Sequence, residues 1–307
     1  MRDDDRVAVH EVLERRGRLV VLAGPGVIDE NRIDELRAFA AAGDLGVANT
    51  WGAKGVFAWD SPHHLGTCGL QAHDFELLGF GAADAIVVVG ADPDESPPAR
   101  VALAPRLDLE PSGLGPAAGR VVNTGPPLPN ELYGRLAAVA QPGYADDKVP
   151  LHPARAVADV AAAVPVGGLV VAEPGLAGLW VARTFATPAL TPGAKRRVVV
   201  PARRDPGVAV RVATDEAVTG RPSVAITTAP LDDATDAAVE RAIREDAPVV
   251  IEVWSDGGHL SRADAHREEL AGAVAARSPA VLEVPICVND TERLVAAAGP
   301  VVAWGGL

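Results

Sequence analysis

Residues 224–254 read VAITTAPLDDATDAAVERAIREDAPVVIEVW, and they show the pattern on which the whole chain is built. An apolar run is followed by a short loop, an amphipathic stretch of helical period and a second apolar run. This order of strand, loop, helix and strand is the repeating unit of a parallel α/β sheet. The loop Thr228-Ala229-Pro230 contains neither glycine nor carboxylate. The segment therefore has the frame of a phosphate-binding unit without the residues that contact phosphate or its metal.

The first half of the chain shows the same alternation. An aliphatic strand beginning near residue 18 leads into the turn Gly24-Pro25-Gly26. The helix predicted after this turn has one apolar face, formed by Ile33, Leu36, Phe39 and Ala40. Residues 85–89 form a continuous aliphatic run of the kind that is buried in parallel sheets, and the run ends at Gly90-Ala91-Asp92. A further short strand is predicted at residues 121–124.

The second half repeats the theme. Strands are predicted at residues 169–175, 223–227 and 248–254, and helices at residues 207–219 and 232–245. A last strand, helix and strand are predicted within residues 279–304. The fold class is therefore α/β, with two doubly wound parallel-sheet (Rossmann-like) domains at residues 1–150 and 151–307, and the proline- and glycine-rich stretch before residue 150 reads as the connection.

Composition excludes several classes of function. The 307 residues are 48% hydrophobic and 22% charged, and 28 basic against 41 acidic side chains give a net charge of −13. A field of this sign repels nucleic acid and anionic lipid, so we expect neither as a partner. The basic segment at residues 194–204 reads as a solvated face. No apolar run is long enough for a membrane span, and the amino-terminal residues lack the apolar core of a signal peptide, so a cytoplasmic location is expected.

Three histidines and one cysteine near residues 63–73 have the residue types of a metal site. His63, His64, Cys68 and His73 lie close together in sequence, but their spacing matches no established zinc-ligand set. Cys68 and Cys287 are far apart and match no redox motif, which is typical of reduced thiols. We therefore predict no metal ligands among these residues.

Several motifs together resemble thiamine diphosphate-dependent enzymes of the acetolactate synthase and decarboxylase group. In the first half these are VLAGPGVI, TWGAKGVFAWDSPHHLGTCGL and ADAIVVVGADPD, which are similar to the central domain of that family. In the second half they are VPVGGLVVAEPGLAGLWVARTF and GRPSVAITTAPLDD, which are similar to the pyrophosphate-binding domain. The resemblance implies that residues 1–150 form a central domain and residues 151–307 a degenerate pyrophosphate-binding domain.

The sequence departs from the family at the positions that carry the chemistry. Only a short segment precedes the first strand, so we expect the pyrimidine-binding domain, with the family's catalytic glutamate, to be missing. The family's Gly-Asp-Gly metal loop falls on Thr228-Ala229-Pro230, and the metal-binding Asn falls near Trp254-Ser255. Mg²⁺ requires oxygen ligands, which a methyl group and an indole do not provide. Asp232 and Asp233 are substitute ligands or, as we expect, helix-capping residues.

The resemblance also suggests where a nucleotide would bind. The central domain of relatives holds flavin adenine dinucleotide, an adenine nucleotide or nothing. Carried over, the loops at the strand ends that would contact such a ligand contain Gly24, Gly26, Lys54, Gly55, Gly90 and Asp92. Alternatively, these glycines only form turns and Lys54 is a surface residue.

These points predict a thiamine diphosphate enzyme-like protein that is non-catalytic on its own. No catalytic residue is assigned, and Glu173 stands where relatives usually carry Asp in the exit from a strand. We expect no bound cofactor and a regulatory, scaffolding or binding role, with a homodimer or a separate pyrimidine-domain subunit as partner. The alternatives are one subunit of a split carboligase or decarboxylase that uses thiamine diphosphate with Mg²⁺, and a flavin or adenine-nucleotide binding module.

Overall fold

A computed structural model describes residues 13–14 and 17–307 of the chain. The chain divides into two compact units. Among the described residues, the first unit comprises residues 13–14, 17–135, 187–195 and 298–303, and the second comprises residues 136–186, 196–297 and 304–307. The predicted family domains, residues 1–150 and 151–307, stay a prediction, because compact units are not family boundaries.

The first unit contains a five-stranded parallel sheet in the order β3-β2-β1-β4-β5. Its strands are β1 (Leu19–Ala23), β2 (Gly46–Thr50), β3 (His64–Cys68), β4 (Ala85–Val89) and β5 (Arg106–Leu109). Every residue of β1 and β4 is buried, as expected for central strands that are covered on both faces.

Short and medium helices flank this sheet: α1 (Gly26–Asp29), α2 (Ile33–Gly43), α3 (Asp74–Leu77), α4 (Pro98–Val101) and α5 (Leu114–Ala118). The predicted apolar face of α2 is confirmed, since Ile33, Leu36, Phe39 and Ala40 are all buried. They join one hydrophobic core with alternate residues of β1 and β4.

The second unit contains another five-stranded parallel sheet, in the order β10-β9-β8-β6-β7. Its strands are β6 (Leu169–Ala172), β7 (Val198–Val199), β8 (Ser223–Thr228), β9 (Val249–Ser255) and β10 (Ala280–Pro285). Its helices are α6 (Leu132–Tyr144), which begins in the first unit, α7 (Pro153–Ala163), α8 (Leu176–Thr184), α9 (Val208–Val218), α10 (Asp233–Arg244), α11 (Ala263–Ala276) and α12 (Asn289–Ala298).

The two sheets confirm the predicted α/β class with two Rossmann-like units. Two predicted strands are wrong. Within residues 121–124 only Asn123 pairs, in an isolated bridge with Gly17, and near the carboxyl terminus Val301 forms a single bridge with Gln71 before a 3₁₀ turn at Ala303–Gly305. None of the helices in the described part of the chain is long and apolar enough to cross a membrane.

Candidate functional site

In each sheet the strand order reverses at one point, and the crevice above the carboxyl ends of the strands at such a point is where open α/β sheets bind ligands. In the first unit the reversal lies between β1 and β4, and in the second unit it lies between β6 and β8. The carboxyl-terminal ends of these two strand pairs are the candidate sites. They are called the first edge (β1 and β4) and the second edge (β6 and β8) below.

At the first edge, the loops after β1 and β4 are in backbone contact. The amide of Gly24 donates to the carbonyl of Val89 at 2.8 Å, and the amide of Gly26 donates to the carbonyl of Gly90 at 2.9 Å. A Cβ added to Gly24 would lie 2.3 Å from the Gly90 oxygen, so no larger side chain fits without movement of the loops. Gly90 itself has a positive φ of 59°. The predicted glycines do meet at one place, and there they serve the close packing of two loops.

Three other predicted residues lie on neighbouring loops. Lys54 is only 8% exposed, so it is not the surface residue of the alternative interpretation. Gly55 has a φ of 94°, and its carbonyl accepts from the amide of Leu190 at 2.8 Å. Asp92 begins a turn, in which its Oδ1 accepts from the amide of Asp94 at 2.8 Å. Gly55 and Asp92 thus have structural roles, Lys54 is buried, and the contribution of all three residues to nucleotide binding stays a prediction.

In the histidine and cysteine cluster of the first unit, His64 and Cys68 form hydrogen bonds with oxygen atoms of the protein itself. The ring nitrogens of His64 lie 2.9 Å from Asn49 Oδ1 and 3.2 Å from the carbonyl of Trp59, and burial lowers the pKa of His64 to about 4. The thiol of Cys68 donates to the carbonyl of Asn49. Within residues 13–14 and 17–307, no three His, Cys, Asp or Glu side chains converge as metal ligands would.

At the second edge, the loop after β8 is closed by the protein itself. The amide of Ala229 donates to the carbonyl of Trp254 at 2.8 Å, and the Ala229–Pro230 peptide bond is cis. Asp232 follows as the N-cap of α10, where its Oδ1 accepts from the amide of Thr235 at 2.8 Å. The predicted capping role of Asp232 is therefore confirmed.

A second carboxylate caps the neighbouring helix from a distant part of the chain. Glu173 directly follows β6, and its Oε2 accepts from the amide of Ala209 in the first turn of α9 at 3.0 Å. Gly207, the N-cap of α9, has a φ of 74°, and a Cβ there would lie 2.9 Å from the carbonyl oxygen of Ala234. The amino termini of α9 and α10 therefore converge, and each of them already has a carboxylate.

The two carboxylates influence each other electrostatically. Burial raises the pKa of Glu173 above its ordinary value, and the negative charge of Asp232 raises it further. Hydrogen bonds from the amides of Ala209 and Gly207 and the charge of Arg211 act in the opposite direction but are outweighed. The edge of the second sheet is therefore an unfavourable place for additional negative charge.

Sequence reasoning found some of these residues and missed others. It identified Asp232 as a cap and noted Glu173 at the strand exit, but it did not connect Glu173 with α9. Arg203 and Arg204, at the end of the basic segment that was interpreted as a solvated face, are both exposed, and Arg204 donates to the carbonyl of Gly306. The glycine N-cap at residue 207 was the available signal for a close approach to α9.

The amino-terminal third of the chain is similar in sequence to a known protein family. Residues 7–106 match the family described as thiamine pyrophosphate enzyme, central domain. This match confirms the predicted resemblance for that part of the chain, which is similar to the central domain of the thiamine diphosphate-dependent enzymes. No protein of curated function matches the chain by sequence.

Solved structures extend the likeness to both units at the level of the fold. A protein assigned as a thiamin diphosphate-dependent enzyme from Mycobacterium smegmatis has 19% sequence identity and a TM-score of 0.67, and the match covers 92% of this chain and 64% of that one. The benzoylformate decarboxylase of Polynucleobacter necessarius has 14% sequence identity and a TM-score of 0.67, with 92% of this chain and 64% of that chain covered. The 4-hydroxybenzoylformate decarboxylase of Rhodococcus jostii RHA1 has 17% sequence identity and a TM-score of 0.66, with 93% of this chain and 64% of that chain covered. The chain thus spans less than two-thirds of the length of these structures.

The residues at the second edge do not fit a metal-bound diphosphate. Mg²⁺ takes oxygen ligands in near-octahedral geometry, and the loop that the resemblance assigns to the metal offers only the hydroxyl of Thr228, the methyl group of Ala229 and a proline ring. The helix amides that bind an anion in such folds are directed in α9 at Glu173 and in α10 at Asp232.

Proposed function

We propose that this protein is a non-catalytic relative of the thiamine diphosphate-dependent enzymes, which acts by binding a partner or a small ligand. The observation that carries the proposal is the contact between Glu173 Oε2 and the amide of Ala209, because a carboxylate of the protein holds the place that an anionic cofactor would need. A phosphate oxygen brought to the same amide would meet this carboxylate. Two unit charges 4 Å apart repel by about 4 kcal/mol at an effective dielectric constant of 20.

The loop after β8 supports the same conclusion independently. Its backbone is tied to Trp254, and its side chains supply no carboxylate or amide oxygen for a metal ion. Removing Glu173 alone would therefore open an anion site without restoring a metal site. For this reason we attribute no catalytic step to the second unit.

The proposal includes self-association or pairing with a separate subunit. Two alternatives remain to be separated from it by experiment. One is a subunit of a split carboligase or decarboxylase that acquires thiamine diphosphate and Mg²⁺ only with a pyrimidine-domain partner. The other is a flavin or adenine nucleotide held near Gly24 and Gly90, although the amides of Gly24 and Gly26 are already bonded to the protein.

Native mass spectrometry of the full chain tests the proposal. Spectra are recorded as purified and after addition of Mg²⁺ alone, thiamine diphosphate alone, and both together. We expect no mass increment from the cofactor and a dimer or larger assembly. An increment for thiamine diphosphate with Mg²⁺ would overturn the proposal in favour of the split enzyme, and a flavin- or nucleotide-sized increment as purified would favour the binding module.

The Glu173→Gln variant serves as the matched control in the same experiment. An increment for Mg²⁺ alone that disappears in this variant would show that Glu173 ligates the ion, contrary to our assignment. A monomer that retains no ligand would contradict self-association and would direct the search to a different partner chain.

A further inference from the structure

A cluster of charged side chains connects α7, α11 and β9 in the second unit. It is centred on His266 of α11, whose Nδ1 lies 3.1 Å from Asp159 Oδ2 and whose Nε2 lies 2.9 Å from Glu252 Oε1. Asp159 belongs to α7 and Glu252 to β9. The cluster therefore joins α7 to β9 and α11, which lie about a hundred residues further along the chain.

All three central side chains are buried. Asp159 and Glu252 are 0% exposed and His266 is 1% exposed. An ionised carboxylate has no proton to donate, so each imidazole nitrogen satisfies its partner only by donating one. Both nitrogens of His266 face such acceptors, and the geometry is therefore complete only for the imidazolium. Neutral His266 would direct a lone pair at a carboxylate oxygen in a buried setting, which is costly.

The surrounding charges point to the same protonation state. From α7, Arg155 donates to Asp159 at 3.0 Å and to Asp264 at 2.7 Å; from α11, Arg267 donates to Asp159 at 2.8 Å. The remaining oxygen of Glu252 accepts from the indole of Trp254 at 3.0 Å. The charged side chains that face His266 and its partners are thus the carboxylates of Asp159, Glu252 and Asp264 and the guanidinium groups of Arg155 and Arg267, and Arg262 lies 3.9 Å from the exposed Asp264. The two carboxylates that contact His266 directly are both buried, so both stabilise a positive charge on the imidazole.

We propose that His266 is a proton-dependent clamp, which fastens α7 and α11 to β9 only while its imidazole is positively charged. Both helices depend on this contact: α11 packs against α7 and against β9. Loss of the proton removes one of the two donated hydrogen bonds and leaves a buried carboxylate oxygen facing a lone pair of the imidazole. The clamp does not rest on the proposed function, because its three central residues are distinct from Glu173 and Asp232, the carboxylates that cap α9 and α10.

The pH range of the clamp follows from the balance of forces on His266. Burial lowers its pKa, but the hydrogen bonds and charges of Asp159 and Glu252 outweigh burial and raise the pKa from 6.5 to about 9. The folded-state pKa is raised, so the stabilisation is fully present below pH 6.5 and is lost as pH rises through about 9.

The direct test is long-range ¹H–¹⁵N NMR on the intact protein labelled with ¹⁵N-histidine, titrated from below pH 6.5 to above pH 9. The chain has seven histidines, and the signals of His266 are assigned by their absence in the His266→Gln variant. We expect both ring nitrogens of His266 to be protonated at neutral pH and to titrate near pH 9. A single neutral tautomer at neutral pH, or titration at or below 6.5, would overturn the clamp.

Thermal unfolding provides the second arm. In the wild-type protein Tm is expected to fall between pH 6.5 and about 9 by more than in His266→Gln. At neutral pH the variant is expected to lose roughly 5–15 °C in Tm. The matched control is the exposed His259, whose replacement by Gln should change neither Tm at neutral pH nor the fall of Tm with rising pH.

If His266→Gln does not fold, Glu252→Gln and the NMR titration of the wild type still decide the question, because Glu252→Gln should lower the pKa of His266. Unchanged titration in Glu252→Gln would contradict the proposal.

Discussion

The amide of Gly26 and the carbonyl of Gly90 are joined by a hydrogen bond of 2.9 Å, which connects the loops at the ends of β1 and β4. Those two loops border the crevice of the first sheet, where a nucleotide would be expected in a doubly wound fold. The amide of Gly24 donates to the Val89 carbonyl, and a Cβ on Gly24 would lie 2.3 Å from the Gly90 oxygen, so the glycines are required by packing whether or not a ligand binds. A glycine-rich strand exit is therefore not sufficient evidence for a nucleotide site in this chain.

Replacing Gly24 with Ala should destabilise the first unit. The added Cβ would lie 2.3 Å from the Gly90 oxygen and 2.5 Å from Ala91 Cα, and both are backbone atoms that move only with their loop. Overpacking of this kind costs about 1–3 kcal/mol, measured as a lower urea midpoint at an unchanged slope. Gly115→Ala is the control, since its Cβ would meet nothing within 4 Å. Equal midpoints for the two variants would contradict the packing role.

The cap at the start of α10 can be tested with a pair of substitutions at Asp232. Asp232→Ala removes the acceptor for the amide of Thr235 and should cost about 1 kcal/mol of unfolding free energy. Asp232→Asn keeps an acceptor of similar geometry and should cost less than half as much. Denaturant unfolding measures both variants. If Asn were as destabilising as Ala, the negative charge rather than the capping hydrogen bond would be the important property.

Arg155 and Arg135 allow a comparison of a buried with an exposed ion pair. The Arg155 side chain is 5% exposed and holds the fully buried Asp159, so Arg155→Ala should cost roughly 3–5 kcal/mol. The Arg135 side chain is 51% exposed in its pair with Glu131, so Arg135→Ala should cost about 0–1 kcal/mol. Unfolding followed by tryptophan fluorescence measures the difference. A small effect at Arg155 would mean that Arg267 and His266 alone are sufficient to hold Asp159.

Strands with aliphatic runs could be predicted from the sequence, including the edge strand β10, whereas the edge strands β3 and β7 could not. β1 and β4 are buried throughout, so their sequences are continuous aliphatic runs. β3, with the sequence HLGTC, and β7, with only Val198–Val199, lie at sheet edges, where hydrophobicity is weak or the strand is very short. The false strand near Val301 arose from an apolar run in which Val301 and Ala303 are buried in a bridge and a turn instead of a sheet, whereas Val302 is exposed.

The site was harder to predict because its contacts are distant in sequence. The lack of carboxylate and amide side chains at Thr228-Ala229-Pro230 could be read directly from the sequence, since it is a matter of residue type. Glu173 and Ala209, by contrast, are 36 positions apart, and no local pattern indicates that the carboxylate of one caps the helix of the other. The same holds for Asp159 and His266, which are 107 positions apart. Such pairings follow from the strand order, which residue periodicity does not encode.

Glu173 should make the protein less stable as pH rises, which is the opposite of the usual behaviour of a paired carboxylate. Burial and the charge of Asp232 raise its folded-state pKa above the ordinary 4.5, so the folded protein binds the proton more tightly than the unfolded chain does. The stability that this proton provides is present at acidic pH and declines as pH rises through 4.5 towards the folded-state pKa. At neutral pH the ionised carboxylate is then a cost, because its burial outweighs the bond from the Ala209 amide.

Glu173→Gln isolates this contribution. Glutamine retains an oxygen that accepts from the amide of Ala209 but carries no charge, so the variant should have a higher Tm than the wild type at neutral pH and a similar Tm below pH 4.5. The exposed Glu283 provides a matched control, and Glu283→Gln should leave the pH profile of Tm unchanged. A Glu173→Gln variant that is less stable than the wild type at neutral pH would contradict this expectation. It would show that the hydrogen bond from the Ala209 amide outweighs the cost of burial, and that the anionic carboxylate itself stabilises the second edge.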